Sequence, residues 1–271
     1  MTTSKATDFM FYVRQYDQKN VLSGISTAVH EACHMYQSKK PNVLLVLRNI
    51  PLDWDATYTV YYISANEEYL VKETPTFPSI EMANEITGDL RSFRWGTYIN
   101  SNQKILGTQQ SGVYGLLDEW AAYYNGFKTT VLNFKEYKKA ANEDVSNYEY
   151  FLSDAGSTRI AYLEFKFYIV QYLHHASRKK KKIYQAIVNN TEFKKAFHAI
   201  DKAYAQVVSE YENRINDIKK VVEADGLNFE ETGEYIWIGN SGVGSFSKTN
   251  DAFEAALRDP KYTKVFTDLG K

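Results

Sequence analysis

The chain has 271 residues, 44% of them hydrophobic and 24% charged, which is typical of a globular protein and excludes a disordered one. Its 32 Lys and Arg residues balance 33 Asp and Glu residues, so net charge favours neither nucleic acid nor an anionic surface as a partner. One cysteine excludes an intrachain disulfide framework. The sequence also contains no run of roughly 18 apolar residues, which is the length that a membrane-spanning helix requires.

The N-terminal residues contain no basic segment followed by an apolar run of leader length. The sequence therefore predicts no signal peptide in the residues given. The compartment stays open, because a cytoplasmic protein and a secreted protein whose leader had been removed would both show this pattern.

The first clear helix is predicted over residues 21–38, after an ambiguous segment at residues 8–19. Its apolar residues recur at spacings of three and four and form one stripe, and the sequence KKPN at residues 39–42 ends it. The stripe consists of Leu22, Ile25, Val29, Cys33 and Tyr36.

The same helix carries the sequence HEACH, with His30 and His34 separated by four residues. Residues four apart lie about 40° apart around a helix and about 6 Å apart along its axis, so both imidazoles can reach one metal ion. Glu31 lies about 100° round from His30, where its carboxylate can reach a water beside that ion. The pattern predicts a zinc site with His30 and His34 as ligands.

A β-rich stretch follows the motif helix. Strands are predicted at residues 42–49, 56–64 and 68–73, with the last two joined as a hairpin through ANE, and two further short strands at GTYIN and QKILGT. A helix is predicted from residue 111, with Ser111 as its N-cap and Leu116, Leu117, Trp120, Ala121 and Tyr124 as its apolar face.

After residue 147 the pattern is almost entirely helical. A buried helix is predicted over residues 157–176 and a long amphipathic helix over residues 192–222. A strand at residues 234–239, a Gly/Ser loop and a last helix near residues 250–258 follow. No Pro/Gly-rich linker divides the chain, so we expect one α+β domain over residues 1–271, with its site within residues 1–145 and a helical part over 146–271.

The third metal ligand is predicted on the helix that follows residue 111. Glu119 lies 85 residues after His34 (119 − 34), and the small residue Ala122 would allow this helix to pack closely on the motif helix. In HEACH and DEWAAY the sequence resembles the zincin metallopeptidases of the gluzincin type, which place a glutamate ligand on a second helix. The resemblance implies a zincin-like fold and a zinc site of His30, His34 and Glu119.

The chain departs from the gluzincin pattern in two ways. Zincins commonly place a sheet before the motif helix, whereas here a small antiparallel sheet must follow it. Some gluzincins carry an Asp four residues after the glutamate ligand, where this chain has Tyr123. The residue that would orient the first histidine, His30, is therefore not identified by the pattern.

Other candidates for the third ligand remain. Asp118 is the nearest rival, but it is expected to face outward, about 100° round the helix from Glu119. Glu67 and Glu68 fall in the predicted hairpin, where exposed charge is the usual outcome. His174 and His175 lie on a predicted buried helix and could be ligands, transition-state donors or hydrogen-bonded core residues.

These residues together predict a peptide-bond hydrolase. Zinc would activate a water and polarise the scissile carbonyl, while Glu31 takes the water proton and passes it to the leaving amine. Tyr114, at the start of the same helix as Glu119, could stabilise the tetrahedral intermediate, with His174, His175 and Tyr123 as alternatives. The expected partner is a peptide or protein substrate.

Three other patterns predict no separate activity. GNSGVGSFSKT at residues 239–249 lacks the lysine that should follow Gly244 in a phosphate loop, so we expect a turn. RKKKK at residues 178–182 favours a solvated helix end over an anionic partner. Cys33 falls in the apolar stripe, which favours a buried structural thiol over a catalytic one.

The sequence thus favours a zinc metallopeptidase, with two alternatives. The chain could hold zinc without turnover and serve as an interaction module, or it could be a helical binding protein that holds no metal.

Overall fold

The computed structural model describes residues 18–142 and 144–270, so the prediction for residues 8–17 lies outside the described residues. The described chain is mainly helical, with two small antiparallel sheets. This confirms the expected fold class at that level. Within the described residues no helix is both long enough and apolar enough to cross a membrane.

The helices, in chain order, are α1 (Gln18–Lys39), α2 (Pro41–Leu47), α3 (Gly107–Gln110), α4 (Val113–Leu132), α5 (Phe134–Ala141), α6 (Asn147–Arg159), α7 (Ala161–Lys179), α8 (Lys181–Val188), α9 (Thr191–Ala224), α10 (Ser247–Leu257) and α11 (Thr263–Leu269). The strands are β1 (Tyr58–Ser64), β2 (Glu67–Lys72), β3 (Phe229–Thr232), β4 (Tyr235–Ile238) and β5 (Ser241–Gly244). Short 3₁₀ helices at Ser79–Glu85, Gly88–Leu90 and Pro260–Tyr262, and a π-helical turn at Trp95–Ile99, complete the regular structure.

The predicted motif helix, the hairpin and the long amphipathic helix are confirmed as α1, β1–β2 and α9. The predicted helix from residue 111 is α4, but it begins at Val113, because Gly112 adopts a positive φ that separates α4 from α3. Ser111 is therefore not its N-cap.

The strand predicted at residues 42–49 is wrong, because this segment forms helix α2. Pro41 occupies the first helical position, where its fixed φ suits a helix and its missing N–H costs nothing. Asn49 ends the helix with a φ of 52°, and the amides of Asn49 and Ile50 donate to the carbonyls of Val46 and Leu45. These two bonds form a Schellman C-cap. An apolar run this short does not reveal by itself which structure it adopts.

The two short strands predicted at GTYIN and QKILGT are also wrong. The first is the π-helical turn Trp95–Ile99, and the second runs into α3. A Cβ atom on Gly115 of α4 would lie 2.2 Å from the Gly107 carbonyl oxygen, so α3 packs directly against the backbone of α4. This tertiary contact has no signature in the hydrophobic pattern.

The C-terminal half differs from expectation in detail. The helix predicted over residues 157–176 is divided between α6, which ends at Arg159, and α7, which begins at Ala161. The strand predicted at residues 234–239 is confirmed as β4, and it is the centre of a three-stranded sheet with β3 and β5. Part of the expected Gly/Ser loop is thus the strand β5.

Contacts divide the chain into two compact units, and α1, α4, α7 and α9 each contribute residues to both. One unit comprises the described residues up to Cys33, Ala122–Tyr162 and Lys202–Lys248. Its core is aromatic, with Phe127 and Phe151 each in ring contact with Tyr211. Its three-stranded sheet packs on α6, where a Cβ atom on Gly156 would lie 2.5 Å from the Gly244 carbonyl oxygen.

The other unit comprises His34–Ala121, Leu163–Asp201 and the described residues from Thr249 onward. Phe77 stacks on Tyr172 with ring centroids 3.9 Å apart, and Trp120 packs on Phe197. Arg94 and Glu164 form a buried ion pair at 2.5 Å. The pair holds Arg94 directly before the π-helical turn that carries Tyr98.

Gly126 of α4 allows close packing against α1. A Cβ atom at Gly126 would lie 3.0 Å from the backbone oxygen of Ser26 and 3.6 Å from Cβ of His30. Ser26 is also buried, so small residues meet at this contact, Ser26 from α1 and Gly126 from α4. These small residues therefore determine the distance between the motif helix α1 and α4.

We therefore expect Gly126→Val to lower the free energy of unfolding by about 3 kcal/mol, because overpacking a tight helix contact forces backbone shifts. Urea denaturation measures the change. The control is Gly88→Val, since a Cβ at Gly88 would have no neighbour within 4 Å. Equal stability of the two variants would contradict the close approach of α1 and α4.

Candidate metal centre

The predicted ligands His30, His34 and Glu119 come together in the structure. Helix α1 supplies both histidines and α4 supplies the glutamate. One nitrogen from each imidazole and one carboxylate oxygen all lie within 4.8 Å of one another. Three donors at this separation can hold one metal ion, and two nitrogens with one oxygen form a donor set that zinc accepts.

The three residues differ in burial. The Glu119 side chain is 11% exposed, whereas the His34 side chain is 24% exposed and His30 is also half-buried. Glu31, the predicted general base, is half-buried beside His30 in the chain.

Two neighbouring carboxylates of α4 contact opposite nitrogens of the His34 ring. Nδ1 is hydrogen-bonded to Asp118 Oδ2 at 2.6 Å, and Nε2 lies 3.5 Å from Glu119 Oε2. Asp118 therefore faces His34 and not outward, which corrects the expectation. Consecutive residues of a helix point about 100° apart, yet both carboxylates reach one ring because its two nitrogens lie on different edges of the imidazole.

Asp118 contacts the second histidine of the motif, whereas the residue that the sequence left unidentified is one that would orient the first histidine, His30. A carboxylate that accepts a hydrogen bond from one ring nitrogen fixes the tautomer and directs the other nitrogen to a metal. Asp118 does this for the second histidine of the motif from the position directly before Glu119. The DE pair was visible in the sequence, but only the packing of α4 on α1 shows that its members contact one ring.

The carboxylates change the proton affinity of the ring. Burial lowers the pKa of His34, but hydrogen bonds and charge interactions with Asp118 and Glu119 outweigh burial and raise it from 6.5 to about 11. Burial also raises the pKa of Glu119, and its contacts with His34 and Tyr98 oppose this increase. Without a metal, the ring is therefore protonated at neutral pH and shares its charge with two carboxylates.

Two tyrosines contact the ligands. Tyr98 is hydrogen-bonded through its side chain to Glu119. Its backbone oxygen accepts bonds from Ser79, Thr108 and Gln109, which fix the π-helical turn. Tyr123 lies one turn after Glu119, and its ring contacts the His30 ring edge-on with centroids 4.5 Å apart. Sequence reasoning named Tyr123 as an alternative donor but did not identify Tyr98.

Tyr114, the first candidate for the transition-state donor, is buried in another set of contacts. Its hydroxyl accepts hydrogen bonds from the Thr74 amide and Asn190 Nδ2, and its ring packs on Phe193. Among the described residues, none of these partners belongs to the candidate site. Its role as donor stays a prediction, and its contacts favour a structural role.

The remaining candidates also have other partners. His175 is hydrogen-bonded to Glu85 at 2.9 Å, and His174 packs against Tyr262. Glu67 and Glu68 accept bonds from Tyr69 and Tyr36. Cys33 is buried and accepts a weak bond from Asn125. In the basic run, Arg178 and Lys180 pair with Glu85 and Glu81.

No protein-family model, curated protein or solved structure matches this chain.

Metal binding at this site should release a proton. The imidazole must lose the proton at Nε2 before that nitrogen can bind a metal, and the raised pKa of His34 keeps the proton in place at neutral pH. We expect about one proton released per zinc ion and an affinity that rises about tenfold per pH unit between pH 6 and 8. Calorimetric titrations in buffers of different ionisation enthalpy measure both quantities; an affinity independent of pH would contradict the assignment.

The two neighbouring carboxylates should differ in their effect on zinc affinity. Glu119→Gln removes a ligand and should weaken zinc binding by more than about a hundredfold, whereas Asp118→Asn removes an orienting group and should cost about 10- to 100-fold. Competition with a fluorescent zinc chelator measures both affinities. A larger loss for Asp118→Asn would make Asp118 the third ligand.

Proposed function

We propose that this chain is a zinc-dependent metallopeptidase of the zincin type, with His30, His34 and Glu119 as zinc ligands and Glu31 as general base. The observation that carries the proposal is the convergence of three ligand atoms within 4.8 Å on two helices, in an HExxH arrangement. Three protein ligands leave a coordination position for water, which is the ligand count of catalytic zinc sites.

The donor chemistry fits zinc. A zinc ion held there supplies a Lewis acid that polarises the scissile carbonyl of a peptide. Glu31 accepts the proton of the attacking water and returns it to the leaving amine. Asp118 holds the His34 ring through the bond at 2.6 Å to Nδ1, which would leave Nε2 as the nitrogen that binds the ion.

The developing oxyanion of the substrate needs a donor. Tyr98, bonded to Glu119, and Tyr123, in ring contact with His30, are the phenols that contact the proposed ligands. We place both ahead of Tyr114, whose hydroxyl is bonded to Thr74 and Asn190.

The hairpin β1–β2 supplies a means of binding a peptide backbone. Both strands of a two-stranded sheet are edge strands, and an edge strand can pair with an extended peptide. The hairpin follows the motif helix in the chain, whereas zincins commonly place their sheet before that helix. The proposal therefore assigns substrate binding to a sheet that comes after the motif.

One observation favours a second candidate, a protein without metal. The His34 ring lies within ion-pair distance of both Asp118 and Glu119 without any metal. A helical binding protein could use this arrangement to hold α1 against α4. Zinc content therefore separates the two candidates.

The test combines zinc content with hydrolysis of fluorescein-labelled casein. We expect one zinc ion per chain in the wild type and in Glu31→Gln, with hydrolysis lost by a factor of at least about 10² in the variant. Glu223→Gln, which changes an exposed carboxylate of α9, should retain activity.

Each other outcome identifies a different failure. Activity in Glu31→Gln would show that Glu31 is not the base. Zinc bound without hydrolysis in the wild type would favour an interaction module that holds zinc. Absence of zinc at saturating concentration would favour the metal-free candidate.

A further inference from the structure

Helix α2 presents apolar side chains on its outer face as well as its inner face. Leu44 and Leu45 are buried and pack with Val60 and Leu70 of the hairpin. The exposed face of α2 carries three apolar residues at helical spacing, Val43, Val46 and Leu47, with Val46 76% and Leu47 69% exposed. A helix that is apolar on all sides is normally covered on all sides.

Exposed apolar residues also follow the helix in the chain. Ile50 and Leu52 are exposed, and Trp54 is 88% exposed. The Schellman C-cap fixes the chain direction between α2 and Ile50. We call Val43, Val46, Leu47, Ile50, Leu52 and Trp54 the α2 surface.

The charged residues within helix α2 and directly beside it in the chain are positive. Residues 38–52 contain Lys39, Lys40 and Arg48 and no acidic residue. Among the residues that the structure describes, none of these three cations pairs with a carboxylate. Two acidic residues flank Trp54: Asp53, which is paired with Lys72 at 2.7 Å, and Asp55, which is exposed. The overall charge of −1 conceals this local excess of positive charge.

We propose that the α2 surface docks this chain on an anionic lipid membrane, lying in the headgroup region without spanning it. Apolar side chains on one helix face, flanking Lys and Arg residues and an exposed tryptophan are the features of interfacial membrane segments. The three cations meet the negative lipid headgroups while Val46, Leu47 and Trp54 enter the boundary of the acyl chains. The proposal does not depend on zinc or on hydrolysis.

The test is sedimentation of the full-length chain with two kinds of vesicle, one of phosphatidylcholine alone and one that also contains about 30% of the anionic lipid phosphatidylglycerol. We expect binding to the anionic vesicles, at least tenfold weaker binding to the neutral ones, and weakening by added salt. The fluorescence of Trp54 should shift to shorter wavelength on binding, and Trp54→Phe should lose that shift.

Two pairs of variants distinguish binding through the α2 surface from non-specific binding to vesicles. Val46→Ser with Leu47→Ser should weaken binding at least tenfold, whereas Ile105→Ser, which alters a side chain that is 84% exposed elsewhere, should not. Lys39→Glu with Lys40→Glu should weaken binding about tenfold or more, whereas Lys181→Glu with Lys182→Glu in the basic run should not. Circular dichroism and thermal melting confirm that each variant is folded.

Three outcomes would overturn the proposal. One is the absence of sedimentation with anionic vesicles, and another is equal weakening by the control variants. The third is a dimer, found by light scattering, that Val46→Ser with Leu47→Ser converts to a monomer in a chain that binds no vesicles. That result would assign the α2 surface to a second copy of the chain.

Discussion

The close packing of α4 against α1 is the constraint on which the candidate site depends. Gly126 leaves no room for a side chain opposite Ser26, and farther along the two helices the His34 ring meets Asp118 and Glu119. Each helix alone carries an incomplete donor set, because α1 has two imidazoles without a carboxylate ligand and α4 has carboxylates without imidazoles. Helix packing at this distance brings the nitrogen and oxygen donors within reach of one ion.

The same packing buries the Glu119 carboxylate, whose ionised form is stabilised by a nearby cation. Glu119 is nearly buried, and burial raises its pKa. An ionised carboxylate is costly there without a positive partner. A proton on His34 meets this need in the absence of metal, and a divalent ion would meet it more fully. The candidate metal centre and the metal-free alternative thus share one arrangement of charge and differ in which cation neutralises it.

Local patterns predicted some elements well and others poorly, for identifiable reasons. The stripe of α1, the β1–β2 hairpin and the long helix α9 are periodic over enough residues to specify their structure. The run at residues 42–49 is uniformly apolar, so helix and strand fit it equally well, and the caps at Pro41 and Asn49 decide for helix. The same run is apolar on its exposed face, which only the placement of α2 against the hairpin reveals.

The sequence by itself determined the histidine pair, because a four-residue spacing on one helix fixes two side chains relative to each other through local geometry alone. It also singled out Glu119, since a carboxylate beside small residues on a second helix can approach the first. The tertiary structure decided the surroundings of the pair: Asp118 on the His34 ring, Tyr98 on Glu119, and Tyr114 bonded to Thr74 and Asn190. The physical reason is that these contacts join residues far apart in the chain, so they follow from the relative placement of helices, hairpin and loops, which no local pattern encodes.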